Sequence, residues 1–264
     1  MNYASWVDPV ALFRAKVALR KTPLFWRERG TRYECTLCGT ALRRLKPGGS
    51  HLEVLSRLQV IGGGYRENAI CPICGSMDRE RLVQRFLELE VAPIRGRILH
   101  VSPEPGLGAW LRRQPSVVHI PGDKHPRYRM QAFDIENLPF SDGSIDGIVC
   151  NHVLEHVDDD QKAMAELYRV LMPGGWAVLQ VPFSLVLEGT AEDASISSDA
   201  DREENYGQRD HVRLYGRDYP DRLRAAGFTV KMHRWWEAGA AYGAPENRYG
   251  LQLGEILFSA VRPE

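Results

Sequence analysis

The chain has 264 residues, with 34 lysines and arginines against 34 aspartates and glutamates, and a hydrophobic share of 44%. Those proportions are ordinary for a soluble globular protein and leave room for one α/β domain plus a small module. No apolar run approaches the roughly 20 residues of a membrane-spanning helix, so a membrane role is not expected. Charge is uneven: residues 1–97 carry a net +8 and the remainder −8. A basic module of this kind can hold phosphate-rich partners such as RNA, but the plainer reading is that it docks on its own acidic remainder. The opening Met1-Asn2-Tyr3-Ala4-Ser5-Trp6 lacks a charged-then-apolar signal layout, so a cytoplasmic location is the expectation, with thiols reserved for metal rather than disulfides.

In chain order, residues 3–21 read as an amphipathic helix, with Val7, Val10, Leu12, Phe13, Val17 and Leu19 on its apolar face. Next come Cys35-x-x-Cys38 and Cys71-x-x-Cys74, each followed by glycine (Gly39, Gly75). Two such knuckles can present four thiolates to one tetrahedral zinc, and four thiolates leave no open position, so the metal is expected to be structural. The long gap between the knuckles requires an inserted loop or hairpin. A helical stretch runs from Asp78 to about Val91 and is closed by Pro93. From Arg95 the pattern alternates between short apolar runs and helices. Strands are expected at Arg97–Val101, Ser116–Ile120, Ile145–Cys150, Trp176–Val181, Phe228–Trp235 and Leu253–Val261. Helices are expected near Leu107–Arg113, Asp160–Leu171 and Tyr219–Ala226, the second stopped by Pro173-Gly174-Gly175 and the third by Gly227. A polar stretch from Glu188 to Asp210 shows little periodicity and reads as a lid or insertion spanning about residues 184–210. This alternation predicts an α/β fold: a doubly wound, mostly parallel, seven-stranded Rossmann-like sheet over residues 95–264, preceded by a small zinc-binding module over residues 1–94. Ligands of such sheets sit at the carboxyl ends of the strands.

The most specific segment is Asp134-Ile-Glu-Asn-Leu-Pro-Phe140, then Ser144-Ile-Asp146, then His152-Val-Leu-Glu-His156, then Arg169-Val-Leu-Met-Pro-Gly-Gly175. In that order and spacing the pieces resemble class I S-adenosylmethionine-dependent methyltransferases, within the group called type 11, over about residues 95–262. The N-terminal part also looks like a subgroup in which a C-P-x-C-G-S segment precedes the methyltransferase domain. The resemblance implies S-adenosylmethionine as cofactor. It puts the glycine-rich loop on Ser102-Pro103-Glu104-Pro105-Gly106, the ribose acid on Asp123, the adenine contacts on Asp134 and Ile135, and the methyl-donor end beside Asn151 and His152. The loop departs from the family's D-x-G-x-G-x-G: it reads His100-x-Ser102-x-Glu104-x-Gly106, keeping only the last glycine. Pro103 and Pro105 can fix the same turn by restricting φ, and Glu104 can accept from the cofactor's ammonium.

Methyl transfer to a hydroxyl is helped by a base near working pH, a role suited to histidine. His152, His156 and His211 are the candidates. His152-x-x-Glu155-His156 also fits an inverted zinc-protease motif, which needs one continuous helix. The strand expected at Ile145–Cys150 and a helix cap at Asp158-Asp159-Asp160 argue against it. Cys150 reads as a packed small hydrophobe, and Trp235-Trp236 as one buried and one rim indole on a late strand. Arg43-Arg44-Leu45-Lys46 reads as a solvated basic run. The expected function is methyl transfer from S-adenosylmethionine to a small polar molecule, such as a sugar or natural-product intermediate. Two rivals stand beside it: an RNA methyltransferase using the basic module, and a zinc-dependent binding protein that has lost catalysis through its altered loop.

Overall fold

A computed structural model describes residues 23–126 and 130–264; the helix expected over residues 3–21 lies outside the described residues. In chain order the first elements are α1 (Pro23–Glu28), β1 (Arg29–Cys35), β2 (Thr40–Leu42), β3 (Lys46–Gly48), α2 (Glu53–Arg57), β4 (Val60–Ile61) and β5 (Arg66–Ile70). Then come α3 (Asp78–Phe86), running on as a π-turn over Leu87–Val91, β6 (Gly96–Val101), α4 (Pro105–Leu111), β7 (Val117–Asp123) and β8 (Gln131–Ala132). The remainder comprises β9 (Ile145–Asn151), a 3-10 turn at Leu154–His156, α5 (Asp160–Val170), β10 (Leu171–Gln180) and β11 (Phe183–Ser184). It closes with α6 (Asp199–Tyr206), α7 (Tyr219–Ala225), β12 (Thr229–Arg234) and β13 (Ile256–Val261). The main sheet has seven strands in the order β12-β13-β10-β9-β6-β7-β8. Of the pairings described, β9–β10, β6–β7 and β7–β8 are parallel and β10–β13 is antiparallel. The α/β fold with a mostly parallel seven-stranded sheet is therefore the observed one.

β9 shows why the sheet forms. Ile145, Ile148, Val149 and Cys150 are all fully buried, as befits a strand covered on both faces. Gly147 has no alternative: a Cβ there would lie 2.4 Å from the Trp176 ring on β10. Cys150 is thus the packed hydrophobe its sequence context suggests.

The chain clusters into two compact units. The first holds the described residues of Met1–Gly48, together with Arg66–Ala132 and Arg234–Glu255; the second holds Gly49–Tyr65, Phe133–His233 and Ile256–Glu264. In the first unit, β1 and β2 form an antiparallel hairpin, and β3 pairs antiparallel with β5. Arg81 of α3 is fully buried. It donates from Nε to the Tyr249 carbonyl, from Nη1 to that of Ser76 and from Nη2 to those of Ala69 and Gly250, at 2.7–3.0 Å. A rigid guanidinium fork is the side chain that can satisfy four carbonyls at once. Trp235 begins a 3-10 turn after β12 rather than lying on the strand; it is buried and donates to the Gln252 carbonyl at 2.9 Å. Arg44, read as part of a solvated run, is exposed and also grips the buried Glu28 with Nε and Nη2, both at 2.9 Å.

In the second unit, the segment between the knuckles supplies α2 and β4. β4 pairs antiparallel with β11, Val60 against Ser184 and Ile61 against Phe183. Val54, Leu55 and Val60 pack with Tyr206 and Leu214 in one buried cluster, against which Leu52 and Leu187 also lie. The polar stretch 188–210 is not structureless: it contains α6, capped by Ser198 Oγ accepting from Asp201 N and ended by Gly207 at φ +85°. Only Tyr206 of that helix is buried, so the sequence shows no apolar stripe to betray it.

Candidate functional site

The four cysteines come together in the first unit. Each knuckle closes on a Gly N–H to Cys carbonyl bond, Gly39 to Cys35 at 2.8 Å and Gly75 to Cys71 at 2.9 Å. Both glycines have positive φ, +65° and +80°, where a Cβ would be strained. Cys35, Cys38, Cys71 and Cys74 are all buried, and their sulfurs lie within 4.8 Å of one another. Cys35 Sγ is 3.6 Å from Cys74 Sγ, and Cys38 Sγ 3.9 Å from Cys71 Sγ. A tetrahedron with metal–sulfur bonds of about 2.3 Å has edges of about 3.8 Å, so the cluster fits zinc. Hydrogen bonds from the other thiols, that of Cys38 foremost, hold the Cys35 thiol well below its ordinary value.

The same unit carries the altered loop after β6. His100 is fully buried, and its Nε2 lies 3.0 Å from Glu104 Oε2, spanning the loop. Its Nδ1 lies 3.2 Å from His119 Nε2, and Arg112 Nε donates to His119 Nδ1 at 3.2 Å. Arg79 Nε stands 3.7 Å from Glu104 Oε1. Burial pushes Glu104 up, but the His100 bond and then the charges of His100 and Arg79 prevail and lower it. Burial, then His100 and Arg112, pushes His119 down to about 3. The loop is thus tied by an ion-paired brace where the family pattern has bare glycines. Ser102 takes φ +46°, Pro105 begins α4, and Gly106 is buried. Glu80 caps this turn by accepting from Leu107 N at 3.2 Å and Met77 N at 2.8 Å. Burial, helped by the Glu104 charge, raises Glu80 to about 7. Asp123 ends β7, and its Oδ1 accepts from His125 N at 2.8 Å.

In the second unit, Asp134 Oδ1 accepts from Glu136 N at 3.0 Å and Ile135 is buried. Their segment is clamped by Arg169, which donates to the Leu138 and Phe140 carbonyls at 3.0 and 2.8 Å and to Glu166. Glu166 Oε2 in turn accepts from Leu138 N at 2.8 Å. The D-I-x-x-L-P-F and R-V-L pieces are therefore one hydrogen-bonded body.

Asn151 ends β9 in a buried position, and His152 turns the chain away at φ +55°, its N–H bonded to the Gln180 carbonyl at 2.7 Å. A non-glycine residue in the left-handed region marks a strained turn. Gly62 of the inter-knuckle segment packs on this imidazole: a Cβ there would stand 3.1 Å from His152 Cε1. The turn continues at Leu154–His156, so the H-x-x-E-H residues do not share one α-helix. The helix cap lies at Asp159, whose Oδ1 accepts from Lys162 N at 2.9 Å.

Three imidazoles converge on Glu155, which is 1% exposed. His152 Nδ1 lies 3.4 Å from Glu155 Oε1, His156 Nε2 3.9 Å and His211 Nε2 4.0 Å. Burial pushes the Glu155 carboxyl up; His152, then His156 and His211, outweigh it and bring it below its usual value. Burial lowers His211. The rings of His156 and His211 meet edge to face with centroids 4.7 Å apart. Arg213 holds this turn from beneath. It is buried and donates to the Leu154, Val157 and Asp158 carbonyls and to Glu192, at 2.5–2.9 Å. Tyr215 is buried and donates to Asp160 at 2.8 Å. The three candidate histidines are thus brought together, and the centre of their arrangement, Glu155, and its support, Arg213, were missed by the sequence reading. The Glu155–His156 dipeptide is the signal in the sequence that could have pointed to Glu155.

Comparison with known proteins places a methyltransferase domain of the type 11 family on residues 94–179. The chain is 30% identical over 171 residues to an uncharacterized methyltransferase of Mycobacterium sp. (strain KMS), covering 59% of this chain and 65% of that one. It is 26% identical over 149 residues to a Mycolicibacterium smegmatis protein named "Probable S-adenosylmethionine-dependent methyltransferase", covering 56% and 52%. It thus spans less than two thirds of the length of these relatives. The solved BH2331 protein from Bacillus halodurans C-125 superposes at TM-score 0.44 with 16% identity, covering 69% of this chain and 99% of that one. The domain match spans β6 to β10 and includes the motif pieces held together by Arg169. Residues 94–179, about a third of the chain, are thus similar to the methyltransferase domain of the type 11 family.

Proposed function

We propose that this chain transfers a methyl group from S-adenosylmethionine to a small polar acceptor, with a structural zinc held by Cys35, Cys38, Cys71 and Cys74. The observation that carries it is the type 11 match at residues 94–179. In this reading residues 1–94 are an N-terminal module and residues 95–264 the methyltransferase domain. When bound, the cofactor supplies an electrophilic methyl on a sulfonium, transferred by in-line displacement.

The chain's own part is positioning, which offsets about 7–11 kcal/mol of such a barrier when both reactants are held in line. Ser102, Pro103, Glu104 and Gly106 shape the loop that receives the methionine moiety. Asp123 takes the ribose hydroxyls; Asp134 accepts from the adenine amine while Ile135 covers the ring; Asn151 orients the methyl-donor end. His152, His156 and His211 stand on the acceptor side, where an imidazole can take the acceptor's proton. The partly exposed carboxylate that ends β7 and the buried isoleucine beside Asp134 suit those roles chemically.

A second reading, a binding protein without turnover, is favoured by the Glu104 brace, since a carboxylate engaged by His100 and Arg79 has less to offer an ammonium. Calorimetry with S-adenosylmethionine tests the proposal. Asp123→Ala and Asp134→Ala are each expected to cost one to two decades of affinity, the equivalent of roughly 1.5–3 kcal/mol. Wild-type protein that does not bind the cofactor overturns methyl transfer, and binding unchanged in both variants overturns the residue roles.

A further inference from the structure

The hydrogen bonds around His156 and His211 decide which ring nitrogens carry protons. His211 Nδ1 lies 3.1 Å from the Tyr206 carbonyl oxygen. His156 Nδ1 lies 3.2 Å from the Asp210 carbonyl oxygen and 3.3 Å from Asp210 Oδ2. Carbonyls and carboxylates only accept, so each Nδ1 is the donor. In the neutral rings Nε2 then carries the lone pair, and both Nε2 atoms face Glu155 Oε1, at 3.9 and 4.0 Å. Neither Glu155 oxygen receives a hydrogen bond of normal geometry among the described residues, although the side chain is 1% exposed. One ligand atom from each of Glu155, His156 and His211 thus lies within 4.8 Å of the other two. Three electron-rich atoms gathered at a buried carboxylate repel one another unless a proton or a metal cation sits among them.

We propose that Glu155, His156 and His211 bind one divalent transition-metal ion, of the Zn2+, Fe2+ or Mn2+ class, separate from the four-cysteine cluster. Two imidazoles and one carboxylate are a donor set such ions accept. With bonds of about 2.0–2.1 Å, a tetrahedral site has ligand–ligand edges of about 3.4 Å, so small side-chain movements close the cluster. The Nδ1–carbonyl bonds are the outer support that orients metal-binding histidines. His152, with Nδ1 3.4 Å from Oε1, positions the carboxylate. The four-thiolate cluster is coordinatively closed; three ligands here leave a position for an outside oxygen. The ion therefore selects a ligand bearing a hydroxyl or similar oxygen and lowers the pKa of that oxygen. The site stands on its own residues, whether or not methyl transfer is the reaction; with the ion bound, His156 and His211 act as ligands, and the proton-taking role falls to His152.

The test titrates the full chain, carrying one Zn2+ per chain to fill the thiolate cluster, with Mn2+, following the free ion by its electron paramagnetic resonance signal. Mn2+ prefers oxygen and nitrogen donors, so the thiolate cluster stays silent. One saturable Mn2+ per chain is expected, displaced by added Zn2+ and bound at least about tenfold more weakly by His156→Asn and by Glu155→Gln. The His156 side chain is 28% exposed, so its variant keeps the fold, as a thermal melt will show. Absence of a saturable Mn2+, together with no further Zn2+ uptake by calorimetry, overturns the site. Equal uptake by wild type and a folded His156→Asn overturns it as well.

Discussion

Replacing Arg213 by methionine removes the guanidinium beneath the Leu154–Asp158 turn while keeping most of the side chain's length. Its partners are not equal. Glu192 is 40% exposed, so losing that ion pair costs little. The Tyr215 hydroxyl lies 3.2 Å from the Leu154 carbonyl but gives its one proton to Asp160 at 2.8 Å, while Asp160 keeps Arg222 at 2.6 Å. Asp158 is exposed, so water can replace the lost donor at its carbonyl. The main loss is therefore at the Val157 and Leu154 carbonyls, at about 1–3 kcal/mol for each group left without a donor. The desolvation cost of burying a charge is recovered in part. The expected net loss is about 2–4 kcal/mol, or roughly 4–16 °C in melting temperature for a chain of this size. Arg213→Lys should fall between, since one ammonium cannot span carbonyls on both sides of the turn. Thermal melting by circular dichroism reads the loss, and hydrogen exchange should rise first at residues 152–158. A methionine variant melting within about 1 °C of wild type would refute the clamp.

Three further outcomes are expected. Cys71→Ser should abolish the thiolate-to-metal absorption of cobalt-substituted protein and unfold the knuckles, because structural zinc contributes on the order of 10–16 kcal/mol in small fingers; an unchanged spectrum would remove Cys71 from the ligand set. Gly62→Ala places a Cβ 3.1 Å from His152 Cε1 at φ +82°, so it should cost about 1–2 kcal/mol and shift the His152 ring resonances, whereas unmoved resonances would place Gly62 away from that ring. Glu28, drawn down from 4.5 to about 2 chiefly by its bond to Arg44, should add stability that is complete above pH 4.5 and fades as pH falls through about 2. The advantage of wild type over Glu28→Gln in urea midpoint should shrink across that window, and a constant difference would contradict the assignment.

The sequence made some elements legible and hid others for physical reasons. β6 and β9 stand out because burial on both faces writes continuous apolar runs. β10 was expected from Trp176, yet it begins at Leu171, because Pro173-Gly174-Gly175 looks like a breaker and the strand's irregular register there leaves no alternation to read. α6 is invisible to periodicity because solvent covers nearly all of it. The knuckles were legible because their geometry is local, two residues and a glycine. The support of Glu155 was not: Arg213 reaches the Leu154 carbonyl across 59 residues, and nothing in a one-dimensional pattern announces that bond.

The segment between the knuckles has a practical consequence. Residues 49–65 precede the methyltransferase match at residues 94–179 in sequence, yet they supply β4, the partner of β11, and Val54, Leu55 and Val60. A chain shortened to begin near residue 95 would bare the apolar side of Tyr206 and Leu214 and leave β11 with an open edge. Exposed edges and apolar patches of that kind drive self-association. Such a fragment should be recovered as aggregate, however complete its motifs look on paper, and its silence in an assay would say nothing about the chemistry of the whole chain.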